Sequence, residues 1–339
     1  MTDMSARPDP DLLQLFEEIF SRWREGLPDH VPSRKLDQEL WRSLSDTGLT
    51  TLGSAGGEDA GWVEAAALAR IAAWYAAPVP LIEHDLLAGW LLGAAGQPLD
   101  ERSRTAAVLD TSGIARAVPW ASQVERIVVL WESAESGPLV ADIDAGEFRI
   151  DHGADLAASP RDTIAIDPSA LSGFAVPPQT FQQFRLRGAL ARAAQTVGAM
   201  ERSVQLAVEH ATTRKQFGRS ISAFQAVQHL IATAAGETAL AAAAVDAALG
   251  TAVDELDEIA TAVAKSVVGH AASVVARATH QVLGAIGTTQ EHELHLHTTA
   301  MLAWQQEFGS VAEWDRTLST RLIEAPGRAW ELIARTERA

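Results

Sequence analysis

The sequence of 339 residues contains no cysteine. That excludes disulfides, thiolate nucleophiles and thiolate metal ligands. Aromatic residues are few and uneven, with ten tryptophans against a single tyrosine. Positive charge is scarce too: 27 Lys and Arg face 44 Asp and Glu, a net charge of −17. A surface that acidic repels nucleic acid and anionic membranes, so neither is expected as a partner. No uninterrupted apolar run reaches the roughly 18 residues that suggest a membrane helix. The first apolar run, LLQLFEEIF, carries acids where a signal peptide would be apolar. These absences point to a cytoplasmic protein.

Hydrophobic residues make up 47% of the chain, and alanine is abundant. The chain is long enough for two or three domains, with a helical bias. Leu12, Leu13, Leu15, Phe16, Ile19 and Phe20 fall at helical spacing, as do Leu36, Leu40, Leu44 and Leu49. GSAGGEDAG (53–61) is rich in glycine but lacks the Lys-Ser/Thr of a nucleotide phosphate loop. Trp62 to Tyr75 and Leu81 to Leu92 predict two more helices. From about residue 104 short runs such as TAAVLD, RIVVLW, PLVADI and FRIDH alternate with Gly, Pro, Ser and Asp, the punctuation of a small antiparallel β unit. Helix returns with Phe181 to Thr213. Ser222-x-x-Gln225 has the form of a capping box, and Phe224, Val227, Ile231 and Ala234 mark a buried stripe behind it. The expectation is a mostly α protein with a small β unit: an N-terminal helical domain (1–103), a reduced β domain (104–180) and a C-terminal helical bundle (181–339).

Three stretches carry a family likeness. They are APVPLIEHDLLAGWLLGAAG (77–96), RKQFGRSISAFQAVQHLIA (214–232) and QVLGAIGTTQEHELHLH (281–297). In that order, within a helix–β–helix layout, they resemble the acyl-CoA dehydrogenase flavoproteins. The stretch from Arg214 is similar to the family's Arg-x-x-Phe-Gly segment. The stretch from Gln281 is similar to its Gln-x-x-Gly-Gly-x-Gly motif, with Ala285 in place of one glycine.

The resemblance implies FAD, shared at a subunit interface. It implies that Arg214, Phe217 and Gly218, with Gln281, Gly284, Ala285 and Gly287, contact the ADP half of a flavin seated mainly in a neighbouring subunit. The chemistry is sensible. A guanidinium gives fixed donors to a pyrophosphate and stays charged, and glycines let backbone approach a ligand. Taken alone, Arg214 has a plainer reading as a cation complementing a helix C-terminus. Lys215 and Arg219 read as solvated.

The family's chemistry requires a carboxylate base beside the thioester, with flavin accepting a hydride. Where the resemblance places that base the chain reads Glu307-Phe308-Gly309-Ser310, so Phe308 stands at the position and Glu307 is one residue early. The family's alternative base position falls near Gly188. Pro119-Trp120 stands where the family carries Thr-Glu-Pro over the flavin ring. The likeness is therefore to the degenerate, non-catalytic subunit of heteromeric α2β2 acyl-CoA dehydrogenases, some of which act on steroid side chains. It implies a homologous catalytic partner that holds most of the acyl-CoA. Two other readings stay open: a self-sufficient homomeric enzyme using Glu307 as a displaced base, and a helical scaffold without flavin.

His292, His295 and His297 in EHELHLH read as hydrogen-bonded histidines rather than metal ligands, so no metal is expected. The acids of VDELDEIA (253–260) read as the first-turn face of a helix. The tryptophans read as core or subunit-contact residues, with Trp304, Trp314 and Phe308 filling a vacated acyl pocket.

Overall fold

The computed structural model describes residues 8–27, 34–54, 61–251 and 255–324. Trp330, most of the 53–61 stretch and Val253-Asp254 lie outside the described residues. The chain divides into two compact units, one ending at Ala191 and one running from Arg192. The first holds both the N-terminal helices and the β strands of the sheets.

Apolar periodicity builds the N-terminal helices. α1 (Pro10–Glu25) is capped by Asp9, whose carboxylate accepts from Asp11 N, and buries Phe16 and Phe20. α2 (Gln38–Asp46) is capped by Asp37 and buries Leu40, Trp41 and Leu44. Asp37 also accepts from the Trp23 indole at 2.8 Å, which ties α1 to α2. α3 (Trp62–Trp74) is almost all alanine and apolar residues, and buries most of them. The helix expected from Leu81 is not a plain α-helix. Ile82–Gly89 forms a π-helical turn that runs into α4 (Trp90–Ala94). Such turns are rare and often accompany functional residues.

Seven strands follow in this unit, in two sheets. β1 (Arg104–Val108), β3 (Arg126–Ser133), β4 (Gly137–Asp144) and β7 (Phe174–Ala175) form one sheet; β2 (Ile114–Pro119), β6 (Arg161–Ala165) and β5 (Arg149–Asp151) form the other. The expected all-antiparallel unit needs correction, because β1 and β3 pair parallel. The chain leaves the first sheet after β1, makes β2 in the other, and returns beside β1 in the same direction. β6 was not anticipated, since RDTIA offers only one large apolar residue. Ile127, Val128, Val129 and Leu130 of β3 are fully buried, which makes it the central strand of the core. The buried Arg104 guanidinium meets Asp142 at 3.0 Å and Asp100 at 2.6 Å, fixing the segment that enters the sheet.

The other unit is helical. α5 (Thr180–Thr213) enters it, followed by α6 (Gln225–Leu249), α7 (Glu258–Leu283), α8 (Leu294–Trp304) and α9 (Val311–Glu324). Asp257 caps α7 by accepting from Ala260 N, and Glu258 sits in its first turn, so the 253–260 acids act at a helix start. α9 begins with a capping box that was not expected: Glu313 accepts from Ser310 N, and Ser310 Oγ accepts from Glu313 N. The box expected at Ser222 and Gln225 does not form. Ser222 is drawn into a short turn by Ser220 Oγ, and α6 starts from Phe224 with no side-chain cap.

Among the described residues two segments, Gln225–Leu249 and Glu258–Thr288, are long and apolar enough to span a bilayer by length and composition. The apolar window of Glu258–Thr288 is 61% buried inside the protein, as a core helix would be; that of Gln225–Leu249 is only 22% buried.

Candidate functional site

The last turn of α5 is held by its own threonines. Thr212 and Thr213 hydroxyls donate to Val208 and Glu209 carbonyls at 3.0 and 2.8 Å. Arg214 N still donates to His210 O, and then the chain turns back on itself. β8 (Lys215–Gln216) pairs with β9 (Arg219–Ser220) around Phe217-Gly218. Both turn residues have positive φ, +52° and +78°, which is the two-residue hairpin form that matches strand twist. Glycine adopts this freely; phenylalanine does so under strain. Ser220 Oγ donates to Ala211 O at 2.6 Å and Ile221 N to Arg214 O at 2.9 Å, so the hairpin is bound back onto α5.

The hairpin therefore presents its side chains outward. Phe217 is 91% exposed, with its ring edge-on to Phe224 at 6.2 Å. Arg219 lies over the Phe224 ring at 4.3 Å, so it is stacked rather than simply solvated. The Arg214 side chain makes no hydrogen bond or ion pair with another described residue, which leaves its donors open to an anion. An open apolar groove of about 260 Å³ lies beside the hairpin, lined by Val208, Ala211, Ile231 and their neighbours.

The glycine motif closes α7. Gly284 has φ +66°, and nothing lies within 4 Å of where a Cβ would stand. Gln281, Gly284 and Ala285 are exposed. Gly287 is different and corrects an expectation. It is buried, and a Cβ there would meet Leu283 at 2.9 Å and Leu294 at 3.1 Å. Its missing side chain admits its own helices, not a ligand.

The two motifs share a floor. Leu206, Ala207 and Ala211 of α5 pack with Val282 and Leu283 of α7 and Leu294 of α8, and Ile221 and Val227 cover that cluster. Hairpin and glycine turn thus stand at one end of the helical unit. Burial, with Arg214 nearby, pushes His210 below the usual histidine range, and burial does the same to His280 and His292. Their charged forms are thus disfavoured, and the cations of the hairpin are Arg214, Lys215 and Arg219. His292 and His295 are tied into their own turn through Leu294 N and His292 O. Among the described residues no three His, Asp or Glu side chains form a metal site.

The positions expected to hold a base are differently occupied. Glu307 Oε2 accepts from Arg192 Nε at 2.7 Å, and Arg192 is 2% exposed. Lys265, buried beside them, donates to Trp304 O at 2.7 Å. Burial pulls its ammonium down to about 7, against the attraction of Glu307. Phe308 and Gly309 follow with φ +56° and +113°. Glu307 is thus committed to a buried cation. Trp314 is fully buried, and Trp304 and Phe308 are half-buried.

The N-terminal unit holds another charged cluster, whose Asp85 lies in the 77–96 stretch but was not singled out as a site residue. Asp85, on the π-helical turn, accepts from Gly53 N at 2.7 Å. Burial pushes its carboxyl up to about 6. The Arg187 guanidinium, one residue before Gly188, lies over Trp62 at 5.2 Å and Trp90 at 4.4 Å. Burial lowers it to about 10, with Asp85 opposing. The sequence hints at these groups through charges set in largely apolar stretches: Asp85 in LIEHDLLAGW, Arg187 and Arg192 in RLRGALARAA and Lys265 in TAVAKSVVG.

Residues 172–310 match the family described as acyl-CoA dehydrogenase, C-terminal domain. The acyl-CoA dehydrogenase IpdE2 of Mycobacterium tuberculosis is 34% identical over 138 residues, 41% of this chain and 42% of that protein. The match thus spans less than half of that relative. Among solved structures, the ChsE4-ChsE5 complex of Mycobacterium tuberculosis is similar with a TM-score of 0.81 and 21% identity, covering 96% of this chain and 99% of that one. The Tcur3481-Tcur3483 steroid acyl-CoA dehydrogenase variant gives a TM-score of 0.79 and 21% identity, covering 93% and 97%. Residues 172–310 thus carry the acyl-CoA dehydrogenase C-terminal domain, and the fold of the chain is similar to those of the chains in these two structures.

Proposed function

We propose that this chain is a subunit of an FAD-dependent acyl-CoA dehydrogenase, an oxidoreductase, and completes the ADP half of a flavin site in a homologous catalytic partner. The observation that supports this reading is Arg214, unpaired among the described residues on an exposed hairpin, over the same apolar floor as the open backbone of Gly284. These residues fit a phosphate-bearing group approaching from outside the chain. Arg214 would hold a pyrophosphate, Phe217 would offer an apolar edge, and Gly218, Gln281, Gly284 and Ala285 would line the approach. Bound flavin supplies a hydride acceptor for α,β-desaturation of a thioester. Among the described residues no base for that step is evident: Phe308 stands at the position, and Glu307 is held by Arg192. The acyl-CoA would be held mainly by the partner, in an α2β2 assembly. The similar steroid enzyme favours a bulky, steroid-derived acyl group.

Co-expression with a homologous catalytic chain tests this. Flavin absorbance and thioester-dependent bleaching should appear only in the complex, and Arg214→Ala should lower flavin retention there. Yellow, active protein from this chain alone would overturn the reading.

A further inference from the structure

Two histidine rings close the chain between the glycine turn and α8. His292 Nδ1 meets Leu294 N, the first amide of α8, at 3.1 Å. His295 Nδ1 lies 2.8 Å from His292 O. A backbone N–H only donates and a carbonyl only accepts, so these partners fix different tautomers. His292 is bare at Nδ1, and His295 carries its proton there. His280 joins them from α7. Thr298 Oγ1 donates to Leu294 O, so it accepts from His280 Nε2 at 2.9 Å. That leaves His280 Nδ1 bare, buried and without a partner among the described residues. Leu294 itself is fully buried in the floor beneath the hairpin and the glycine turn. Leu294 and His280 Nδ1 are two of the three neighbours that a Cβ on Gly287 would meet. The amide held by His292 therefore belongs to the residue on which the glycine turn packs.

We infer, on the half-site reading above, that His292 is a positioning residue: its bare imidazole caps α8, seats Leu294 under the glycine turn, and makes the turn's hold on a phosphate-bearing ligand depend on pH. A proton on Nδ1 would set one donor against another and break the bond to Leu294 N. It would also place positive charge at a helix N-terminus, where the dipole disfavours it. His295 responds differently, since its second proton goes to Nε2 and leaves the bond to His292 O in place. The charged groups around His292 come from three elements. α5 brings Arg202, Glu209 and His210, with Arg214 beside His210; α7 brings His280; the segment entering α8 brings Glu291, Glu293 and His295. Arg202 meets Glu293, and it meets Glu209 at 3.6 Å. Burial holds His292 below the ordinary 6.5, helped by His210, Arg202 and His295 and opposed by Glu293. Below about pH 6.5 the unfolded chain thus binds more protons at this residue than the folded one. The cap is complete above that pH and is lost as pH falls through the lower folded value.

Nitrogen NMR of the full chain with labelled histidine, at about pH 7, should show His292 protonated at Nε2 and His295 at Nδ1. Amide exchange then reads the cap. Between about pH 7 and pH 5 the protection factor of Leu294 should fall about tenfold, the scale of a lost helix cap. His292→Asn offers a side-chain oxygen to the same amide and does not titrate. It should keep Leu294 protected at both pH values, whereas His292→Ala should leave it unprotected at both. In a complex with a homologous catalytic chain, flavin release should quicken toward pH 5 for wild type and much less for His292→Asn. With His292→Ala it should already be fast at pH 7. A His292 proton on Nδ1 at pH 7, or equal loss of Leu294 protection in wild type and His292→Asn, would overturn the inference. So would flavin release with one pH profile for both proteins. A complex that holds no flavin at any pH would overturn the half-site and with it the pH dependence of ligand binding, while exchange in the flavin-free chain still decides the cap.

Discussion

Arg192 grips Glu307 from α5, Nε to Oε2 at 2.7 Å, with the guanidinium almost wholly buried. The pair spans 115 positions of sequence and fixes the loop that carries Phe308. Removing one member of such a pair leaves a buried charge uncompensated. Glu307→Gln should therefore cost stability, about 2–4 kcal/mol by chemical denaturation. In the assembled complex the same variant should leave the dehydrogenation rate within about twofold, since no catalytic role is assigned to this carboxylate. A fall in rate of about a hundredfold with unchanged stability would instead mark Glu307 as the base.

Lys265 links stability to pH. Its folded value of about 7 lies below the ordinary lysine value of 10.5. Between those limits the unfolded chain binds more protons than the folded one. Stability should then rise with pH across that window, by up to about 1.4 kcal/mol per pH unit from this group. Lys265→Met removes the titration and should flatten the slope between about pH 7 and 10. Urea midpoints for both proteins at a series of pH values give the comparison. Equal slopes would mean that the ammonium is not desolvated as its burial implies.

What the sequence could reveal depended on range. Leu40 and Leu44 announce α2 because helical periodicity is local, and Phe217-Gly218 announces a turn because two residues suffice for one. The Arg214 and Gly284 motifs were legible for the same reason. Arg192 with Glu307, and Asp85 with Arg187, join distant segments, and no local pattern pairs them. The parallel pairing of β1 with β3 was hidden likewise, because strand direction depends on where β2 goes. Gly287 shows the limit within a motif: spacing aligned it with ligand-facing glycines, and only packing against Leu283 and Leu294 reassigns it.

Asp85 makes the opposite pH prediction to Lys265. Its folded value of about 6 lies above the ordinary 3.8, because burial disfavours the carboxylate. Between those values the folded state binds more protons, so stability from this group falls as pH rises from about 4 to 6. Asp85→Asn keeps an acceptor for Gly53 N and removes the titration. The difference in unfolding free energy between variant and wild type should shift in favour of the variant as pH rises through that window. A constant difference would show that Asp85 titrates normally in the folded protein.

Gly287 and Gly284 should separate packing from ligand approach. Gly287→Ala drives a methyl against Leu283 and Leu294 in the shared floor. It should lower stability by about 1–3 kcal/mol through overpacking. Gly284→Ala meets open space, but its φ of +66° and ψ of −143° suit only glycine well. Its cost should come from backbone strain, about 1–3 kcal/mol. The two then differ in flavin retention by the complex. Gly284→Ala should weaken it even at temperatures well below unfolding, because the backbone that lines the approach must move. Gly287→Ala should weaken it only in step with its loss of stability. Thermal melts paired with flavin-release titrations of both variants distinguish the cases, and equal retention per unit of stability lost would remove Gly284 from the proposed site.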